Sequence, residues 1–351
     1  MTPPGVWRVL SASAPGRFDG IGDFAASLTR ALSAYGPAEL FVRDQSWAEL
    51  EHLDVASTAG AIVQYFPQAF MRGDLRLILR WLDLLRRAGK PVVLTVHEYW
   101  PPLDGTLRRA VSRVLYRRTL RACIRRSTAV VTSQEHSAHD IAVVARGHQV
   151  VAIPIGSAIP VEPGGAVAAG RGLVLFGQPA AMHAPTMIAL AAWLTSAPSD
   201  VSLTWVGRSA DEMRDRWCTT WALPATRVTF RGGLSAADVS LALQSARISL
   251  APYENGASTR RSTFAALLEH QRPIVALDGV TTSDWLRESG ACVWTPEGEP
   301  ARFVTALSQL IDDPARHAGL SQRAGDVFRT HLSWPTIGEA YARVLAQGVT
   351  R

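Results

Sequence analysis

The chain has 351 residues, 47% of them hydrophobic and 19% charged, with a formal charge of +6 at neutral pH. That length exceeds one ordinary domain and predicts two, of about 150 to 180 residues each. The longest apolar runs, such as 91–96, are strand-sized and fall far short of the ~20 residues that a membrane-spanning helix needs.

The charge has an unusual source. Lys90 is the only lysine among 36 lysines and arginines, so any basic chemistry rests on arginine. Cys123, Cys218 and Cys292 are isolated and lack metal-ligand spacing, which fits buried thiols in a reducing compartment and gives no expectation of a metal. The first residues show no basic segment followed by an apolar stretch, so the expected location is cytoplasmic.

In chain order, short apolar strands alternate with amphipathic helices: strand 7–11, helix 23–35, strands 39–42 and 61–65, helix 74–88, strand 91–96, helix 106–126, strand 129–132, a helix from about 137, and strand 150–153. A Pro/Gly-rich stretch, 153–171, interrupts the pattern. The alternation then restarts with strand 173–176, helix 185–196, strand 202–206, helix 211–217, strand 227–230, helix 236–244, strand 248–250, helix 262–270 and strand 273–276. Helices 299–311, 315–328 and 336–346 complete the chain. The pattern predicts an α/β protein with two Rossmann-like parallel-sheet domains, over 1–160 and 161–334. Residues 335–351 should form a helix packing back toward the first domain. Open sheets of this kind bind ligands beyond the carboxyl ends of their strands, so two of them should face each other across a ligand cleft.

Three stretches carry chemistry. Gly16, Gly20 and Gly22 lie between the first strand and its helix, where glycines let a phosphate approach backbone amides. Their spacing also suits a short-chain dehydrogenase, with Asp44 about twenty residues on as the ribose acid. That enzyme needs a lysine four residues after a tyrosine, and Arg86 occupies that place before Lys90, so the dehydrogenase is excluded. A plain tight turn stays open.

The strand 91–96 ends in His97 and Glu98. A histidine there can donate to a sugar hydroxyl or exchange a proton with an acceptor; one satisfied by nearby backbone is the alternative. Gln64, Tyr65 and Phe66 end the neighbouring strand and are candidates to line an acceptor pocket, with core packing equally open for Phe66.

The third stretch is the loop 252–262, which contains Gly256, Ala257, Ser258, Arg260 and Arg261 and leads into a helix near Ser262. Exposed amides, a helix dipole, hydroxyl donors and forked guanidiniums all suit a diphosphate. The plainer reading makes Ser262 a helix cap and one arginine a surface residue.

The order of these and other short motifs resembles glycosyltransferase family 4 over nearly the whole chain. The motifs are Gly-Ile-Gly-Asp from 20, Thr-Val-His from 95, Ile-Pro-Ile-Gly-Ser from 153, Phe-Arg-Gly-Gly-Leu-Ser from 230, Gly-Ala-Ser-Thr-Arg-Arg-Ser from 256, Arg-Pro-Ile-Val-Ala from 272 and Leu-Ser-Trp-Pro-Thr-Ile from 332. The resemblance implies a GT-B fold and a retaining, metal-independent transfer from a nucleotide diphosphate sugar, with no resident cofactor. The donor would bind mainly in the C-terminal domain and the acceptor in the N-terminal one.

Residue by residue, it implies that Gly20 and Gly22 face the donor phosphates, that His97 contacts the donor sugar, and that Arg231 to Leu234 hold the base. The sequence departs from the family at its donor clamp. Gln178 and His183 stand where many members have arginine and lysine, and Ser258 and Ala266 stand where the paired glutamates fall. A branch with a Gly-x-Ser-x-Arg-Arg loop explains this, with Arg260, Arg261, Ser258 and Ser262 on the phosphates. A catalytically degenerate GT-B scaffold is the alternative. Gln64, Tyr65 and Glu98 would meet the acceptor, which can be a glycan, a lipid-linked sugar or a small molecule.

Eight arginines lie between positions 105 and 127, interleaved with Leu107, Val111, Val114, Leu115 and Leu120. A solvated helix face is the ordinary reading of such a run, and peripheral contact with an anionic membrane is the other. No nucleic-acid recognition motif accompanies these arginines, so nucleic acid is not expected as a partner.

Overall fold

The computed structural model describes residues 5–16, 20–42, 50, 54–70, 75–99, 106–166, 170–212 and 214–349. Asp44 and the start of the expected helix at 74 lie outside the described residues. The chain divides into two compact units, 1–154 with 334–351, and 155–333.

The first unit contains β1 (Val6–Ser11), α1 (Ile21–Leu32), β2 (Ala38–Val42), β3 (Thr58–Tyr65), α2 (Pro67–Phe70), α3 (Leu75–Arg87), β4 (Val92–Val96), α4 (Leu107–Ile124), β5 (Ala129–Thr132), α5 (Glu135–Ala145) and β6 (Gln149–Ala152). Its six parallel strands are ordered β2-β1-β3-β4-β5-β6. Every residue of β3 and β4 is buried, which is why both read as near-continuous apolar runs: strands covered on both faces cannot alternate. The strand order steps the same way from β3 to β6, so right-handed crossovers place α3, α4 and α5 on one face and α1 on the other. Trp81, Leu82, Leu120, Cys123 and Ile124 form the core under the first group.

The last helix of the chain, Trp334–Val349, belongs to this unit. Its Tyr341 is fully buried, with its hydroxyl 3.0 Å from Thr95 Oγ1 on β4. Gly338 presses against Ala31 of α1, where a methyl group would collide.

The second unit contains β7 (Arg171–Phe176), α6 (Ala184–Ser196), β8 (Val201–Val206), α7 (Arg214–Trp221), β9 (Val228–Arg231), α8 (Ala236–Ser245), β10 (Ile248–Ala251), α9 (Ser262–Glu269), β11 (Ile274–Asp278), α10 (Asp284–Glu288), β12 (Val293–Pro296), α11 (Pro300–Ile311) and α12 (Pro314–Val327); in chain order the closing helix Trp334–Val349 is α13. Its parallel sheet runs β12-β11-β10-β7-β8-β9.

Three elements here differ from the expectation. The helix expected over 211–217 begins at Arg214 and runs to Trp221. Trp217 and Trp221, one helical turn apart, stack with ring centroids 4.6 Å apart, and Trp221 stacks at 5.5 Å on Trp205 of β8. Ring burial against the sheet fixes the helix frame more strongly than local propensity does. The short α10 and β12 were not expected, because five and four residues are too few to show a period. Among the described residues, no helix is long and apolar enough to cross a membrane.

Candidate functional site

In the second unit, β10 delivers the chain into the loop 252–262 beyond the carboxyl edge of the sheet. Tyr253 is buried and donates its hydroxyl to the Phe176 carbonyl at 2.8 Å. His183 N donates to Pro252 O at 2.8 Å, and Glu254 N donates to Ala181 O at 3.0 Å. The loop after β7, which carries Gln178 and His183, is thereby stitched to the loop after β10. Both residues are half-buried, and His183 Nδ1 lies 2.8 Å from Thr186 Oγ1 in the first turn of α6.

Asn255 and Gly256 then take left-handed φ values of 65° and 90°. A methyl group on Gly256 would collide with the Gly279 amide and Thr282 Oγ1, and one on Gly279 would collide with the Asn255 carbonyl group. Two backbone segments touch there, and only glycine allows both the angle and the approach. Asn255 N is held by Glu297 Oε1 at 2.6 Å. Ala257 is buried and pairs its amide with Leu277 O at 2.9 Å.

Ser258 follows, wholly buried, and its Oγ has no hydrogen-bond partner among the described residues. An orphan buried hydroxyl is costly unless something accepts from or donates to it. Arg261 lies over the Tyr253 ring, its guanidinium carbon 4.8 Å from the ring centroid, and donates through Nη2 to Glu254 O at 3.2 Å. Its Nε has no partner among the described residues. Burial pulls the Arg261 pKa below the ordinary arginine value, opposed by Tyr253 and Glu254 and reinforced by Arg260. Burial likewise pushes Tyr253 up to about 12. Arg260 is exposed.

Arg261 is the residue before α9, and Ser262 is already its first helical residue. The side chain of Arg261 makes no cap hydrogen bond to this helix, and its first turn holds no acidic residue. Ser262 therefore does not stand at the cap position. The first-turn amides and the positive end of the dipole are left for an anion.

Arg231 ends β9, exposed, with its carbonyl accepting from Gly207 N at 3.2 Å. Leu234, half-buried, packs on the core. β9 stands three strand positions from β10, roughly 14 Å along the same carboxyl edge.

In the first unit, Gly20 precedes α1 at φ 69° with open space around it. Gly22 is different: a methyl group there would run into the Ala14 carbonyl, so it fixes the close approach of α1 to the loop after β1. Gly16 N donates to Asp23 Oδ1 at 2.7 Å, which ties that loop to the helix. His97 leaves β4 with its amide on Tyr65 O at 3.0 Å and its Nε2 2.8 Å from Gln64 Oε1. Phe24 of α1 meets the imidazole edge-on at 5.2 Å, and Trp334 lies 5.6 Å from Phe24. Glu98 is exposed.

Two residues expected at the acceptor are buried. Tyr65 is fully buried, 4.9 Å from Phe70, with its hydroxyl directed at the Tyr116 carbonyl at 3.4 Å. Gln64 is nearly as buried, and its side chain serves His97. Neighbouring strand residues point to opposite faces, so these two never shared one pocket. Tyr253, Phe24 and Glu297 were missed. Phe24 and Glu297 act through partners far away in sequence, and Tyr253 acts on Arg261 at a spacing that matches no local period.

No family model matches the chain, and no curated protein matches it in sequence. Solved structures do match. Sucrose-phosphate synthase from Thermosynechococcus elongatus superposes with a TM-score of 0.68 at 13% identity, covering 98% of each chain. HepE of Anabaena, in complex with UDP-glucose, gives 0.67 at 15% identity over 97% of this chain and 99% of its own. A UDP-forming trehalose-phosphate synthase from Burkholderia vietnamiensis gives 0.65 at 11% identity over 98% and 99%. The fold is GT-B. In a GT-B chain the loop after β10 and the start of α9 belong to the C-terminal Rossmann-like unit, and the turn before α1 and the end of β4 belong to the N-terminal one.

Proposed function

We propose that the protein is a retaining glycosyltransferase of the family 4 type, which moves a hexose-like unit from a nucleotide diphosphate sugar to an acceptor. The observation that carries this reading is the uncapped start of α9 beside the buried, unpartnered Ser258 hydroxyl and the Arg261 fork. Amides, a hydroxyl and a guanidinium converge there on one small region, and a diphosphate is the ligand that would satisfy all three.

The departing diphosphate would be stabilised by these donors, the largest catalytic contribution expected of such a site. Arginine and helix amides would neutralise charge that a metal ion neutralises in other transferases. The leaving phosphate oxygen would take the acceptor proton, so no separate protein base is needed. His97, oriented by Gln64 and Phe24, would hold the donor sugar, and the base would lie toward Arg231 and Leu234. UDP-glucose is the donor to try first, because it is the ligand named for the HepE structure.

A thermal-shift panel of UDP, GDP, dTDP, ADP and NAD tests the reading, since a ligand that binds only the native state raises its melting temperature. Stabilisation by one nucleoside diphosphate and not by NAD is expected. No shift with any of them would leave a GT-B scaffold without donor binding.

A further inference from the structure

The helix α4 is built inside out. Its buried residues, Thr119, Leu120, Cys123 and Ile124, all lie in its last two turns. In its first turns the aliphatic side chains point away from the sheet: Leu107 is 81% exposed, Val111 50%, Val114 51% and Leu115 39%. Spaced i, i+4, i+7 and i+8, these four form one continuous stripe along the outer face. A helix that only needed solvation would place arginines there and turn its aliphatics inward.

The surrounding charge is one-sided. Between 105 and 127 the chain has eight arginines and no acidic residue. Arg108, Arg118 and Arg125 are exposed; Arg118 and Arg125 continue the line of the aliphatic stripe toward the carboxyl end of the helix, and Arg108 flanks it. The exposed residues Arg76, Arg80 and Arg87 of α3 add to the same face of the sheet, and the Arg126–Asp83 ion pair at 3.0 Å joins the two helices.

We propose that the outer face of α4 docks this protein on an anionic lipid bilayer. The aliphatic stripe enters the boundary between headgroups and acyl chains, and the arginines reach back on their long stems to the headgroup phosphates. Charge complementarity selects this occupant. A second copy of the chain would bring the exposed Arg108, Arg118 and Arg125 against their own counterparts. A nucleic acid would satisfy the arginines but gain little from four exposed aliphatics, since single strands are held by stacking on aromatic rings. The inference goes beyond the transferase reading and does not depend on it.

The test is co-sedimentation of the full chain with vesicles, either phosphatidylcholine alone or phosphatidylcholine with about a third phosphatidylglycerol. The wild-type protein is expected to pellet with the anionic vesicles, stay in solution with the neutral ones, and be released by high salt. The triple variant Leu107→Ser, Val111→Ser, Val114→Ser keeps every charge, and its partitioning should fall at least about tenfold. The triple variant Arg108→Glu, Arg118→Glu, Arg125→Glu keeps every aliphatic, and each reversal should lower partitioning by about fivefold or more. All six positions are exposed, so both variants should melt like the wild type.

A wild-type protein that stays in solution with anionic vesicles at physiological ionic strength would overturn the proposal. So would a serine variant that binds as well as the wild type, because that binding would be purely ionic, as for a nucleic acid or an acidic peptide. The nucleoside diphosphate shift, measured on the same variants, should be unchanged, so the docking and donor readings fail separately.

Discussion

Ser258 sits in the second unit with a hydroxyl that nothing described in the chain satisfies. In a merely structural position, replacing it would cost packing and leave binding alone. In a donor site the reverse holds: Ser258→Ala removes an orphan polar group from the empty protein, leaving its melting temperature unchanged or slightly raised. A net hydrogen bond to phosphate of about 1.5 kcal/mol should then be lost, close to tenfold in nucleoside diphosphate affinity by calorimetric titration. A lowered melting temperature with unchanged affinity would make Ser258 a core residue.

Arg261 and its neighbour make a sharper contrast. Arg261 is anchored on Tyr253 and Arg260 is exposed, so a preorganised fork stands beside a solvated charge. Arg261→Ala should weaken nucleoside diphosphate binding by about 2 kcal/mol, roughly thirtyfold, and Arg260→Ala by much less. Equal losses in the two variants would show that Tyr253 does not preorganise the site. That anchoring was not legible in the sequence. The glycine, hydroxyls and arginines of 256–262 announce a phosphate loop by their types, but the ring beneath Arg261 stands eight residues earlier.

Between β6 and β7, and in the helices around them, a buried network ties the connecting segment to the second unit. His270 Nδ1 lies 2.7 Å from Ala266 O, which only accepts, so Nδ1 carries the proton of the neutral ring. Nε2, 2.8 Å from Ser240 Oγ, therefore accepts the serine proton. Ser240 Oγ in turn accepts from Glu162 N at 2.7 Å and from Gln244 Nε2 at 3.0 Å, and Gln244 also holds Glu162 O at 2.8 Å. Protonating Nε2 would leave the serine hydrogen without an acceptor.

Burial, with Arg272 adding repulsion, lowers the His270 pKa, against a weaker lift from its bond to Ala266. Below about pH 6.5 the unfolded chain takes up this proton first, so stability falls with acidification until the folded value is passed. The loss cannot exceed about 1.4 kcal/mol per pH unit. Melting temperatures between pH 7.5 and 5.5 should drop more steeply for the wild type than for His270→Gln. The comparison with that variant cancels Glu269, whose pKa is raised by burial and which acts with the opposite sign. Parallel slopes would rule His270 out as the sensor.

The same elements show what a sequence can express. β3 and β4 were readable because burial on both faces demands unbroken apolar runs. The position of α7 was not, because a stack of three tryptophans sets it. Tyr65 shows the limit, because alternation gives two faces to a strand without saying which one is core.

At the scale of the whole molecule, the chain leaves the first unit after Pro154 and returns to it at Trp334, so the second unit is one uninterrupted segment and the first is not. The returning helix α13 carries Ile337, Tyr341 and Leu345, all buried, and packs Trp334 and Tyr341 around Phe24 of α1. Three such side chains, at about 1.5 to 3 kcal/mol each, amount to a large part of the 5 to 15 kcal/mol that holds a typical domain together. Removing residues 334–351 should therefore unfold the first unit and leave the second intact. Scanning calorimetry of the truncated chain should show one transition near that of the isolated segment 155–333, and that segment should keep the nucleoside diphosphate shift of the full chain. A truncated protein with both transitions preserved would mean that α13 only covers the first unit. A segment 155–333 that folds but loses the shift would mean that the glycine turn before α1 supplies donor affinity that the loop 256–262 cannot supply alone.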